Sequence, residues 1–159
     1  MIPNEIIEYI MQNFGGVKPK TSWGETSLFY NPDNILPNGV YFCTIKEQDG
    51  DNDSASNLNR ESVFRLSLGV GKEVYIEVFG ATPKRPAKGE TVDIEQDFSQ
   101  LNLLMPHPIY AWMGWICINS PTNDSFAKMT KYIELSYNRA VKSYLKNKKV
   151  IEHNQRTRI

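Results

Sequence analysis

The last third of the chain most limits what the molecule can fold into, because its apolar residues recur at helical spacing without a break. Phe126, Met129, Ile133, Tyr137, Ala140 and Tyr144 fall on one stripe at roughly 100° per residue, which predicts a long helix from about Ser125 to Lys149, capped by Asn123 or Asp124. One continuous apolar stripe of that length has to lie on a broad apolar surface, and only a sheet supplies one. Lys128, Lys131, Arg139, Lys142, Lys146 and Lys149 cluster almost opposite, either as a solvated outer face or as a track for phosphate groups.

The segments upstream read as that sheet and a second helix to cover it. Ile6, Ile10 and Phe14 recur at fours, predicting a helix from about Asn4 to Phe14 that Gly15 and Gly16 stop. Thr26 to Tyr30 and Gly39 to Lys46 are rich in aromatic and β-branched residues and are separated by the turn-forming NPDNILPNG. A third strand is expected within Ser62 to Val70. Lys72 to Phe79 fits either period, and we read it as a short helix ended by Gly80. Ala81 to Leu101 has proline, glycine and alternating charge with little periodicity, as a long surface connection would. Tyr110 to Asn119 is apolar at nearly every position and reads as a central strand. The expected architecture is α+β: an antiparallel sheet of four to six strands packed by an N-terminal and a long C-terminal helix. A single domain spans residues 1–149, and 150–159 form a polar C-terminal tail.

Composition narrows the class of protein. A chain of 159 residues is long enough to bury a full core without disulfide or metal staples. Cys43 and Cys117 lie inside hydrophobic runs and read as buried small hydrophobes in a reducing compartment. No apolar run reaches the ~20 residues of a membrane span, and the N-terminus is amphipathic with Glu5 and Glu8, so a cytoplasmic location is expected. Net charge is zero but unevenly spread: residues 1–61 carry −5, 62–124 carry −2 and 125–159 carry +7. Attraction to a polyanion should therefore be weak overall, and nucleic acid is not expected as a partner.

Several blocks in one order, namely TSWGETSLFYNP, LPNGVYFCTIK, DGDNDSASNLNRESVFRLSLGV, Phe79-Gly80 and MPHPIYAWMGWICI, resemble an uncharacterised bacterial family, domain-of-unknown-function family 6194. The resemblance runs from about Glu5 to Leu145. It implies no activity, ligand or catalytic residue. It leads us to expect aspartate where Asn59 stands before Arg60, which weakens any scheme needing a carboxylate there. In order of elements alone the chain also resembles the MmcQ/YjbR-like proteins, a likeness that licenses no function.

Most familiar chemistries lack their residues. Asp49, Asp51 and Asp53 alternate like the start of a calcium loop, but Ser54 takes the glycine position and Arg60 the position of the bidentate glutamate. Gly69-Val70-Gly71-Lys72 fails as a phosphate loop, because Leu66 stands at the first glycine and Glu73 follows the lysine. Two isolated cysteines and His153 in the tail do not make a zinc site, and no G-x-S-x-G elbow is present. Neither a metal nor a cofactor is expected.

The remaining candidates are polar and aromatic residues on loops and strand ends: Trp23, Glu25, Asp53, Ser56, Arg60, His107, Tyr110 and Trp112. Pro106 and Pro108 bracket His107 and hold it in a stiff conformation. Aromatic walls with a few fixed polar groups suit a small-molecule pocket, and Arg60 has the geometry to grip a carboxylate or phosphate. The leading expectation is a binding domain for a small anionic ligand near His107 and Arg60. The alternative is a nucleic-acid or protein interaction module using the basic stripe. A weaker one is an enzyme with His107 as general base and Glu25 or Asp53 as its partner. Against all three stand the structural readings that Trp23, Tyr110 and Trp112 are core or sheet-packing aromatics, that Arg60 pairs with an aspartate of its own loop, and that His107 bonds a backbone carbonyl.

Overall fold

The computed structural model describes residues 1–158, and Ile159 lies outside the description. Three helices, α1 (Pro3–Asn13), α2 (Lys72–Phe79) and α3 (Asn123–Thr157), accompany six strands: β1 (Val17–Ser22), β2 (Glu25–Tyr30), β3 (Val40–Lys46), β4 (Arg65–Gly69), β5 (Met105–Pro106) and β6 (Trp115–Asn119). The strands form one sheet in the order β1-β2-β3-β4-β6-β5, antiparallel at every pairing. This is an α+β fold.

Helix α3 lies across β3 and reaches β2 and β4 on either side. Its stripe is the buried one: Phe126, Met129, Ile133, Ala140 and Tyr144 all face the sheet. Ile6 and Ile10 of α1 join the same core, which is lined from the sheet by Leu28, Cys43, Ile45, Leu66, Leu68, Ile116 and Ile118. Strand alternation puts these residues on one face. The opposite face of the same strands carries Glu25, Ser27, Lys46, Thr44, Arg65 and Ser67, and among the described residues no helix covers it.

Four local readings are corrected. The cap of α3 is Thr122, whose Oγ1 accepts from the Ser125 N–H at 3.2 Å, so the helix begins at Asn123, two residues earlier than a cap at Asp124 would allow. The helix also runs past Lys149 to Thr157, because polar residues with good helix propensity extend a long helix without tertiary support. Tyr110 is not in a strand: Ala111–Met113 form a single 3₁₀ turn, and the strand starts only at Trp115, after left-handed Gly114. Finally, the connection after α2 is not wholly superficial, since Val92 and Phe98 are buried and the Val92 N–H donates to the Pro108 carbonyl at 2.8 Å.

Strand β1 carries no strand signal in sequence. In VKPKTS only Val17 is buried, and Pro19 is tolerated because the strand is an edge with no partner on its outer side. Its register is set by the two-residue turn Trp23-Gly24, where φ is 54° and 72°, the mirror-image turn that suits a twisted hairpin.

Candidate functional site

The exposed face of the sheet is built in rows, because antiparallel partners stand side by side. Glu25, Lys46, Arg65 and Asn119 are successive register partners across β2, β3, β4 and β6. Two residues along, Ser27, Thr44, Ser67 and Cys117 form the next row. A β-bulge between Leu28 and Phe29 on β2 and Tyr41 and Cys43 on β3 leaves Phe42 as the extra residue. That shift turns Tyr41 to the same side as Thr44. A third row then holds Phe29 and Tyr41, with Trp115 reaching over from β6: the Tyr41 and Trp115 rings are 5.3 Å apart and the Phe29 and Tyr41 rings 5.9 Å. Trp115 lies so close over Gly69 that a Cβ there would meet its Cζ2 at 2.8 Å, so only glycine fits beneath it.

Loops wall this face into a cleft of about 840 Å³. Its floor is Glu25, Ser27, Phe29, Tyr41, Thr44, Lys46, Arg65 and Trp115. One wall is the tight turn at Gly50–Asp53, another is Arg85–Gly89, and the third is His107, Ile109, Tyr110 and Trp112. Arg85 sits 4.9 Å over the Trp112 ring, and Gly89 approaches Asn52, so the Arg85–Gly89 segment runs along the cleft from its aromatic end to its charged end.

The charged end rests on Arg65, which is 1% exposed. Its Nη1 donates to Asp53 Oδ1 at 2.9 Å and its Nη2 to Asp53 Oδ2 at 2.5 Å, a two-point pairing, while Nη1 also donates to Ser56 Oγ at 3.0 Å. Burial works to raise the Asp53 carboxyl, but the hydrogen bonds and charge of Arg65 outweigh it and hold Asp53 below the usual carboxylate range. Arg65 Nε, Ser67 Oγ and Asn119 Oδ1 are buried without a protein partner. Lys46 Nζ lies 3.9 Å from Glu25 and leaves most of its donor capacity facing the cleft.

His107 is 2% exposed, and its role is set by two short contacts. The backbone N–H groups of Ile109 and Tyr110 both donate to its Nδ1 at 3.1 Å. The imidazole thus caps the turn that Pro108 begins, as a side-chain acceptor does at a helix start. With Nδ1 an acceptor, the proton resides on Nε2. Burial, then the charge of Arg65, pushes the imidazole well below its ordinary pKa of 6.5. A ring whose Nδ1 lone pair already accepts from two amides is arranged for hydrogen-bond donation from Nε2, which gives the general-base expectation no support from the geometry. The bond to a backbone carbonyl expected as its structural role is likewise replaced by these two amides.

The sequence candidates divide cleanly. Glu25, Asp53, His107, Tyr110 and Trp112 line the cleft. Ser56 stands behind it, supporting Arg65. Arg60 is elsewhere: its Nε donates to the Asn57 carbonyl at 2.7 Å and its Nη2 to the Ser56 and Ser99 carbonyls at 3.0 and 2.9 Å, fastening two loops together. Trp23 is 89% exposed at its hairpin tip and does not line the cleft. The aspartates of the acidic turn have separate tasks, since Asp49 accepts from the Leu58 N–H at 2.8 Å while Asp53 holds Arg65. Asn59 Oδ1 accepts from the Asp49 N–H at 3.0 Å, a bond that an aspartate would make equally well. Among the described residues, no three His, Cys, Asp or Glu side chains group as metal ligands would.

Sequence reasoning missed Arg65, Lys46, Tyr41, Trp115, Arg85 and Lys88. Arg65 carried a readable signal, a lone charge inside the apolar run VFRLSLGV, which a buried strand admits only with a partner at hand. Arg85 and Lys88 carried none, because only the path of the loop brings them here.

The family model described as a family of unknown function, DUF6194, matches residues 1–149, and the chain belongs to that family. No curated protein and no solved structure matches the chain.

Proposed function

For this member of a family without an assigned activity, we propose that the cleft binds a small anionic ligand. The observation that carries the reading is the charge of the lining: Lys46, Arg65, Arg85 and Lys88 stand against only Glu25 and Asp53, and Asp53 is already committed to Arg65. An anion entering the cleft meets Lys46 and Lys88 at the charged end and Arg85 beside Trp112. The cleft volume lies in the usual range for small-molecule sites, and its lining combines the aromatic rings of Tyr41, Tyr110, Trp112 and Trp115 with charged and hydroxyl side chains. Relative to the expectation from sequence, the anion partner moves from Arg60 to Lys46, Lys88 and Arg85. His107 serves the site by fixing the turn that presents Tyr110 and Trp112.

The reading concerns binding, and no reaction is assigned to it. The test is thermal stabilisation by a panel of phosphates and carboxylates in low-salt buffer, since a ligand bound only by the fold raises stability as RT ln(1 + [L]/Kd). We expect a concentration-dependent rise in Tm that is lost in the Lys46→Gln/Lys88→Gln double variant. An unchanged Tm with every anion, or a rise that the double variant retains, contradicts the proposal.

A further inference from the structure

We propose that the ligand is a mononucleotide, bound lengthwise with its base at the aromatic row, its sugar over the hydroxyl row and its phosphate at the charged row. This rests on the anion-binding reading of the same cleft and specifies its occupant. The order of chemistry along the floor is the argument. Arg65 and Gly69 lie four residues apart on β4, so the charged and aromatic rows are separated by about 13 Å, with the Ser27 and Thr44 hydroxyls between them. A bare phosphate or short carboxylate uses one end of such a groove. A ligand that uses all of it needs a flat ring, a hydroxylated spacer and an anion in that order.

Each row is fitted to its part. Tyr41 is 46% and Tyr110 45% exposed, yet both rings are held from behind. Trp115 and Phe29 back Tyr41, and His107 lies 5.1 Å from the Tyr110 ring. His107 is in turn fixed by its two amide contacts, so the stacking surface is rigid before a ligand arrives and little ordering entropy is lost on binding. Burial and the neighbouring Tyr110 and Glu25 raise the Tyr41 phenol above its ordinary pKa, keeping it neutral beside a base. At the other end, Lys46 and Lys88 supply positive charge, and Arg65 lines the floor with an Nε that no protein atom engages. Glu25, 3.9 Å from Lys46 in the charged row and two residues from Ser27 on the same strand, is the lining carboxylate left to accept from a sugar hydroxyl.

The experiment is isothermal titration of the whole chain with the four ribonucleoside 5′-monophosphates, the matching nucleosides and inorganic phosphate. At least one mononucleotide should bind tenfold or more tightly than both its nucleoside and phosphate. Tyr41→Ala should reduce that nucleotide to the affinity of phosphate, and Lys46→Gln should reduce it to the affinity of the nucleoside. Lys142→Gln, on α3 and outside the cleft, should change nothing, and melting curves establish that the variants fold. If phosphate binds as tightly as every mononucleotide, the mononucleotide assignment is overturned while the anion-binding reading stands. If neither phosphate nor any nucleotide binds, the mononucleotide assignment is overturned, and the anion-binding reading falls with it when the carboxylates of the thermal panel also leave Tm unchanged.

Discussion

Arg65 and Asp53 meet in a two-point ion pair that joins the middle of the sheet to the acidic turn, with the guanidinium almost wholly buried and the carboxylate at the rim of the cleft. The pair fixes one wall of the cleft to its floor. Removing one partner leaves a buried charge without its counterion, which costs about 3 kcal/mol or more. Asp53→Ala should therefore lower Tm by roughly 10 °C for a domain of this size. Arg65→Met/Asp53→Ala together should be less destabilising than the sum of the two single changes, as coupled partners are. Additive losses in thermal melts would show that the two side chains act independently.

Histidine 107 sets a pH dependence of stability near neutrality. In the fold its pKa lies well below 6.5, from burial and from Arg65 and Lys46, with Asp53 opposing them. The unfolded chain takes up a proton near 6.5 and the fold does not, so stability is complete above that value and is lost as pH falls below it. The slope from this group is at most about 1.4 kcal/mol per pH unit. Asp53 adds a similar loss at lower pH, beginning as pH falls through the ordinary carboxylate value of 3.8 and complete only below its depressed value in the fold. His107→Asn keeps a side-chain acceptor for the Ile109 and Tyr110 amides but cannot titrate. Melting curves from about pH 7 to 5 should fall for the natural sequence and stay flatter for the variant; parallel curves would assign the slope elsewhere.

The thiols should be silent in the native protein. Burial pushes Cys117 up to about 12 and raises Cys43 further, and the Cys117 thiol is tucked against the Pro106 carbonyl. Thiolate is the reactive form. A chromogenic disulfide reagent at pH 8 should label neither cysteine until denaturant is added, and rapid labelling of either under native conditions would contradict the burial described.

The architecture was legible where one period dominated. The stripe of α3 expresses a single buried face, and the aromatic and β-branched runs of β2 and β3 mark strands by residue type, so sequence and structure agree there. Strand β1 was not legible, because an edge strand that buries only Val17 has no apolar alternation to read. In the site, residues close in sequence to a turn or proline signal were found, as with Asp53 and His107. Arg60 misled because a cation beside an acidic loop looks like the loop's partner, whereas Arg65, buried five residues on, takes Asp53 and leaves Arg60 to backbone carbonyls. The bulge that turns Tyr41 towards the cleft depends on pairing between strands, which local sequence does not specify.

The basic face of α3 should not behave as a nucleic-acid track. Lys128, Lys131, Arg139, Lys142, Lys146 and Lys149 are all exposed, but the chain as a whole carries no net charge. Non-specific binders show dissociation constants of ~10⁻⁴ to 10⁻⁶ M at physiological salt. Labelled single- and double-stranded oligonucleotides at that ionic strength should bind no more tightly. Sub-micromolar binding abolished by glutamine at Lys128, Lys131, Lys142 and Lys146 would replace the cleft with an interaction surface.

The central claim is that the open face of the sheet, and not the helix-covered side, receives an anion. Titrating inorganic phosphate into isotope-labelled protein and following backbone amide resonances tests it directly, because each residue reports its own surroundings. The account predicts saturable shifts concentrated at the charged end, at Lys46, Asn52, Asp53, Lys88 and Gly89. Shifts confined to the Arg139, Lys142 and Lys146 face of α3, or linear and unsaturable changes everywhere, would contradict it.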